Sequence, residues 1–283
     1  MNILTFDVED WFHILDHQET EDPSRWGNYL SRVVINTEKI LNFLDQRNQK
    51  VTFFCLGWVA ERHPDLVKAI VRSGHELGSH SHSHQLVYKQ GQKEFRSDLK
   101  KSLSILEDIS GQKITAYRAP GFSVTRDTPW MFDELIEAGI THDCSIFPTL
   151  RAHGGFIGAP AKPFVLERNG CEIKAFPMST YSLLGREIIF SGGGYFRLFN
   201  YQIIKYMMNR SDYVMTYFHP RDFDFEQPMI PGLDRFRRFK SYVGIAGSLN
   251  KLEKLLGDFN FLDLKTASEQ IEWEEQLRYI VVD

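Results

Sequence analysis

The segment Gly78-Ser-His-Ser-His-Ser-His84 sets three histidines at alternate positions. On a helical turn His80 and His84 share one face; in an extended segment His80, His82 and His84 all project to one side. Either geometry can offer two imidazoles to one metal ion, and imidazole is the commonest protein ligand for zinc. The same residues would also suit a solvated polar loop, so the reading depends on acids elsewhere. Thr5-Phe-Asp-Val-Glu-Asp10 supplies them: Asp7 and Glu9 follow an apolar run and point the same way if the chain stays extended. Two histidines and one carboxylate leave positions open for water and substrate, and the second acid is then free to act as general base. That set points to metal-assisted hydrolysis.

Two further residues fit this chemistry. Arg118, in Tyr117-Arg-Ala-Pro-Gly121, stands before a rigid turn, where its guanidinium could fork onto a carboxylate such as Asp7. His219, in Tyr217-Phe-His-Pro220, ends an apolar run and could serve as general acid; a surface arginine and a hydrogen-bonded histidine are the plain alternatives. A two-histidine, one-carboxylate set also suits non-haem iron oxygenases, but that chemistry has no need for an acid–base pair such as Asp7 and His219. Ser191-Gly-Gly-Gly-Tyr195 could bring backbone close to a ligand or form a flexible loop. Arg235-Phe-Arg-Arg-Phe-Lys240 could meet a phosphate or a membrane, or be a solvated face with phenylalanine anchors.

The elements that must position these residues alternate. An opening strand at Ile3–Phe6 is followed by a helix over 33–47, a strand from Val51 and a helix over 64–73. A strand at 76–78, a long helix over 95–110, a strand at 116–120, a helix over 129–138 and a segment at 139–144 continue the pattern. Residues 150–194 read as long, irregular loops; a strand returns at 213–220, then a helix near 248–256 and a last strand near 261–264. Strand–helix alternation at this spacing predicts a parallel sheet or barrel, whose active groups gather at the strand C-terminal ends. One domain over residues 1–283 is expected, with the motifs inside 3–220 and residues 221–283 packed on the barrel as an extension.

Composition bounds the function. The net charge of −4 offers no basic field for nucleic acid. Cys55, Cys144 and Cys171 are an odd, scattered set, which argues against a disulfide framework or a zinc ribbon and fits a reducing compartment. No apolar run is long enough to span a bilayer and no leader-like segment precedes Asp7, so a cytoplasmic protein is expected, with peripheral membrane contact left open.

Taken together, Thr5-Phe6-Asp7, His80-Ser-His-Ser83-His84, Arg118-Ala-Pro120, Asp143-Cys-Ser145 and His219 resemble the five motifs of the polysaccharide deacetylase family, the NodB-like deacetylases of carbohydrate esterase family 4. A subset associated with exopolysaccharide and surface-glycan synthesis is also similar at FDVEDWFH and SGGGYFRL. The resemblance implies an α/β fold, a distorted (β/α) barrel of seven or eight strands. It implies hydrolysis of an N-acetyl or similar N-acyl group on an amino sugar, whether free, polymeric, nucleotide-linked or lipid-linked. It further implies a divalent metal, zinc ahead of cobalt, manganese or nickel. Asp7 would be the base, His80 and His84 ligands, His219 the acid and Arg118 the tether of Asp7. The Gly121 N–H would help hold the oxyanion, and Tyr195, Asp143 and Phe122 would lie at the substrate. The family's common adjacent aspartate pair is replaced here by Asp7-Val-Glu9-Asp10; strand alternation favours Glu9 as the third ligand, with Asp10 as the alternative. An amidohydrolase acting on a small non-sugar amide and a non-catalytic glycan-binding module are the competing readings.

Overall fold

A computed structural model describes residues 1–150, 153–183 and 185–282. The opening apolar run forms β1 (Asn2–Ile3) and β2 (Thr5–Val8), the latter buried throughout. Helix α1 (Val33–Asp45) leads to β3 (Thr52–Cys55), whose unbroken burial is what a strand covered on both faces requires. Helices α2 (Gly57–Arg62) and α3 (Pro64–Arg72) precede β4 (Glu76–Ser79). In α3, Pro64 starts the helix and Leu66, Val67 and Ile70 form its buried face. Helix α4 (Gln92–Ser110) ends on Gly111 at φ 66°, a left-handed cap that turns the chain toward β5 (Ala116–Tyr117). Helix α5 (Trp130–Glu137) leads to β6 (His142–Asp143).

The segment read as long loops is more ordered than that. It holds a hairpin, β7 (Phe164–Arg168) and β8 (Cys171–Ala175), and a short pair, β9 (Tyr181–Leu183) and β10 (Arg186–Ile188). The hairpin turns on Asn169 and Gly170, with φ of 50° and 77°, the pair of positive values that an Asn-Gly turn accepts. Helices α6 (Gly193–Leu198) and α7 (Tyr201–Met208) lead to β11 (Val214–Met215). After it come α8 (Arg235–Tyr242), α9 (Ser248–Asp258), α10 (Leu264–Glu269) and β12 (Arg278–Ile280).

The main sheet has eight strands in the order β12-β7-β8-β6-β5-β4-β3-β2. Every pairing is parallel except that of β7 with β8. Beyond β2, the segment 214–218 continues the curl: Thr216 N–H donates to the Ile3 carbonyl at 2.9 Å and Asp7 N–H to the Phe218 carbonyl at 2.7 Å. The result is a distorted barrel, as the resemblance implies. Two expectations change. The strand expected at 261–264 is reduced to a bridge between Ile3 and Leu262, because α10 begins at Leu264. The last strand is β12, hydrogen-bonded to β7, so the C-terminal residues complete the sheet as well as cover it.

The glycine run serves packing within this curl. A Cβ on Gly192 would stand 2.0 Å from the Tyr217 carbonyl oxygen, so the close approach it permits is to the strand carrying His219.

Candidate metal and catalytic site

The parallel pairing brings the ends of β2, β4, β5 and segment 214–218 to one rim. Asp7 and Glu9, His80 and His84, Arg118 and His219 therefore meet although they span most of the chain. Glu9, His80 and His84 are buried and each offers a ligand atom within 4.8 Å of the other two. His80 Nδ1 lies 2.8 Å from the Arg118 carbonyl; a carbonyl only accepts, so Nδ1 carries the proton and Nε2 is left as the coordinating atom. His84 Nε2 lies 2.6 Å from Glu9 Oε2, an oxygen with no other partner in the site. Burial opposes charge on Glu9, but His84 and His219 beside it hold its carboxyl well below the usual range. Burial also lowers His80 to about 4, keeping it neutral as a ligand must be. Two neutral-capable imidazoles and one carboxylate fit a divalent cation.

The three acids of the first motif are separated by what they bond. Asp7 Oδ1 accepts from Arg118 Nη1 at 2.7 Å, and the same nitrogen reaches Thr5 Oγ1 at 2.7 Å. Arg118 is fully buried, its guanidinium 4.2 Å above the Phe54 ring. Asp10 turns away from the histidines. Its carboxylate accepts from Trp11 N–H at 2.9 Å and from Arg32 and Val33 N–H at 3.1 and 3.3 Å. These last two are orphan donors at the N-terminus of α1, so Asp10 works as a cap from outside the helix. Glu9 is the ligand candidate and Asp10 is not.

His219 lies at the edge of the cluster, its Nε2 3.9 Å from Asp7 and 3.5 Å from Glu9. Its Nδ1 is 3.0 Å from Asp222, which also accepts the His219 backbone N–H at 2.9 Å. Burial works against protonation, but Glu9, Asp222 and Asp7 override it and raise His219 to about 9. Its side chain is a fifth exposed, whereas those of Asp7 and Glu9 are nearly sealed.

Residues 28–141 match the family model described as polysaccharide deacetylase. In that stretch the chain is similar to polysaccharide deacetylases. Residues 144–269 match a second model, described as a domain of unknown function (DUF3473). A peptidoglycan-N-acetylglucosamine deacetylase of Bacillus cereus is 40% identical over 84 residues, covering 30% of this chain and 30% of that protein. A counterpart in Listeria monocytogenes is 34% identical over 90 residues, covering 32% of this chain and 19% of that one. The chain thus spans about a third or less of the length of these curated relatives. A crystal structure described as a polysaccharide deacetylase from Mycobacterium smegmatis aligns over 100% of this chain and 93% of its own, with a TM-score of 0.66 and 19% identity. His80, His84, Arg118 and Gly121 fall inside the deacetylase match; Asp7, Glu9 and His219 lie outside it and stand on geometry.

Three expected substrate contacts change place. Asp143 has no exposure and Phe122 has 3%, so neither presents a surface to a sugar. Both face Arg118 instead: Phe122 packs its ring 5.5 Å from the guanidinium, and Asp143 lies within its electrostatic reach. Tyr195, on α6, is exposed with its ring against Phe199 rather than against the clustered side chains. Gly121 holds φ 62°, and a Cβ there would stand 2.6 Å from Leu15 Cδ1, so the turn after Pro120 needs glycine.

Other residues of the site carry no motif. Asp98, from α4, accepts from the backbone N–H groups of His82 and Ser83 at 2.7 and 2.8 Å and clamps the histidine loop. His82 stays buried but faces Glu61, 3.9 Å away, rather than the other two histidines. Nothing local in sequence marks Asp98. Asp222 was missed as well: it closes a capping box on His219 with proline at the first helical position, but His-Pro-Arg-Asp does not spell the usual Ser/Thr and Glu/Gln form.

Glu9→Gln should fold normally yet lose bound divalent metal, while Asp10→Asn should keep stoichiometric metal and lose about 1 kcal/mol of stability through the weakened cap. Metal analysis with thermal unfolding distinguishes them, and the reverse pattern would make Asp10 the ligand. Asp143 and Glu76 are each raised by burial to about 7. Between their unfolded values near 4 and that point the native state binds more protons than the unfolded chain, so stability falls as pH rises through this window. An Asp143→Asn, Glu76→Gln double variant should flatten that slope in urea titrations; an unchanged slope would refute the assignment.

Proposed function

We propose that the chain is a metal-dependent hydrolase that removes an N-acetyl group from an amino sugar in a glycan. What carries the reading is one rim holding a Glu9–His80–His84 ligand set, an arginine-tethered carboxylate and a carboxylate-paired histidine. A divalent cation held by that set, zinc being the best fit to its donors, would supply Lewis-acid polarisation of the amide carbonyl and of the attacking water.

The chain's own groups account for the proton movements. Asp7, fixed by Arg118 and outside the ligand set, accepts the proton of the attacking water through the oxygen Arg118 leaves open. A C–O bond forms at the carbonyl carbon, and the Gly121 N–H is the donor we assign to the developing oxyanion, worth on the order of 3 kcal/mol. His219, protonated through Asp222 and its other acidic neighbours, passes a proton to the nitrogen as the C–N bond breaks. Acetate and a free amine leave.

The relatives named for deacetylating peptidoglycan N-acetylglucosamine support a substrate of that type, an N-acetylhexosamine within a glycan. The surface-glycan setting suggested by the FDVEDWFH and SGGGYFRL segments belongs to the same proposal. A non-catalytic reading has a precedent, because a CE4 family pseudoenzyme from Bacillus anthracis aligns over 99% of this chain with a TM-score of 0.53 and 15% identity. Against it stand the base, acid, tether and three ligands present together here.

Acetate release from N-acetylglucosamine oligomers should be abolished by chelation and restored by zinc. Asp7→Asn should retain the metal while turnover falls at least about a hundredfold. Full activity in that variant would refute Asp7 as base; glycan binding without any acetate release by the metal-loaded wild type would favour the pseudoenzyme reading.

A further inference from the structure

Helix α8 has the sequence RFRRFKSY, with four cations, two phenylalanines and no acid, in a chain whose net charge is −4. It buries none of its residues, and Phe236 and Phe239 are 65% and 52% exposed. These rings are three residues apart on one helical face. The Lys240 ammonium stands 4.2 Å over the Phe236 ring, and Arg238 donates to the Met229 sulfur at 3.1 Å, with Met229 itself exposed. Helix α6 packs beside α8 and adds Tyr195 and Leu198, both exposed.

We propose that α8, with the adjoining edge of α6, is a docking face for an anionic lipid bilayer. Aromatic side chains set among cations on a surface helix combine insertion at the headgroup boundary with attraction to acidic lipids. A symmetric contact between two copies would instead press this cationic helix against its own image. On this face the cations and the exposed rings coincide, and that sets the orientation proposed at the bilayer.

That orientation is tied to the site. Arg237, the inward-facing cation of α8, donates to the carbonyls of Asp16 and Leu15 at 2.5 and 2.7 Å, in the segment that walls the pocket beside His84. Arg197 of α6 donates to the carbonyls of Lys240, Ser241 and Val243 at the end of α8. The same guanidinium lies 3.0 Å from Asp222, the partner of His219. Docking through α8 would hold the catalytic rim beside the membrane. The substrate class this favours, a glycan carried at a lipid surface, rests on the deacetylase reading above.

Co-sedimentation of the full chain with vesicles tests it. Wild type should partition onto phosphatidylcholine–phosphatidylglycerol vesicles but not onto phosphatidylcholine alone, and rising salt should weaken the binding. Phe236→Ser with Phe239→Ser, and separately Arg238→Gln with Lys240→Gln, should each lower partitioning at least about tenfold. Both variants should keep wild-type acetate release from soluble oligomers. Asp7→Asn should bind vesicles as wild type does, so a failure of the catalytic reading leaves docking measurable. No vesicle binding, equal binding to neutral vesicles, unchanged binding by both double variants, or a wild-type dimer that the variants dissociate would each overturn the proposal.

Discussion

Arg118 and Asp7 meet in an ion pair that water scarcely reaches, and the rest of the site depends on the constraint they impose. Burying two charges is costly unless geometry and further hydrogen bonds offset the loss of solvent. Here Thr5 shares the donor nitrogen, Phe54 lies under the guanidinium, and the Arg118 carbonyl orients His80. One residue thereby aligns the candidate base and a candidate metal ligand. Loss of either partner would leave an uncompensated charge in the floor of the barrel, so Arg118 is a structural element and a positioning element together.

The second consequence is a separation of roles among three acids in four residues. Asp7 is held by arginine, Glu9 faces the imidazoles, and Asp10 is used up on the start of α1. Chemistry that needs one acid to hold a cation and another to accept a proton requires that two neighbouring carboxylates not compete for the same place. Extended backbone turns Asp7 and Glu9 to one side, and the helix terminus draws the third away. His219 is poised in a corresponding manner: Asp222 grips its Nδ1 and leaves Nε2 toward the acids.

Much of this was legible in sequence, for identifiable reasons. His80, Asp7, Arg118 and His219 each end or follow a short buried run, parallel pairing puts such run ends on one rim, and His84 stands in the loop after His80. The helices over 64–72 and 92–110 carry their own boundary and periodicity signals, whereas that over 33–45 shows its periodicity and takes its cap from outside. The hairpin over 164–175 was equally marked by Asn169-Gly170, but its gly- and pro-rich surroundings read as loop. Other features needed the third dimension. Asp98 reaches the histidine loop from a helix that shows only ordinary amphipathic spacing, and Asp143 sits in a motif-like triplet yet is sealed beneath Arg118. Strand β12 is a short run near the chain end whose partner, β7, lies over a hundred residues earlier. Pairings of that kind leave no local trace.

In the proposed function the carboxylates divide, Glu9 to the cation and Asp7 to the proton. A crystal structure of zinc-loaded protein, with the ion located by anomalous scattering, tests it most directly. The expected result is coordination by Glu9, His80 Nε2 and His84, with Asp7 still paired to Arg118 and Asp10 still on α1. An ion bound by Asp7 or Asp10 in place of Glu9 would contradict it.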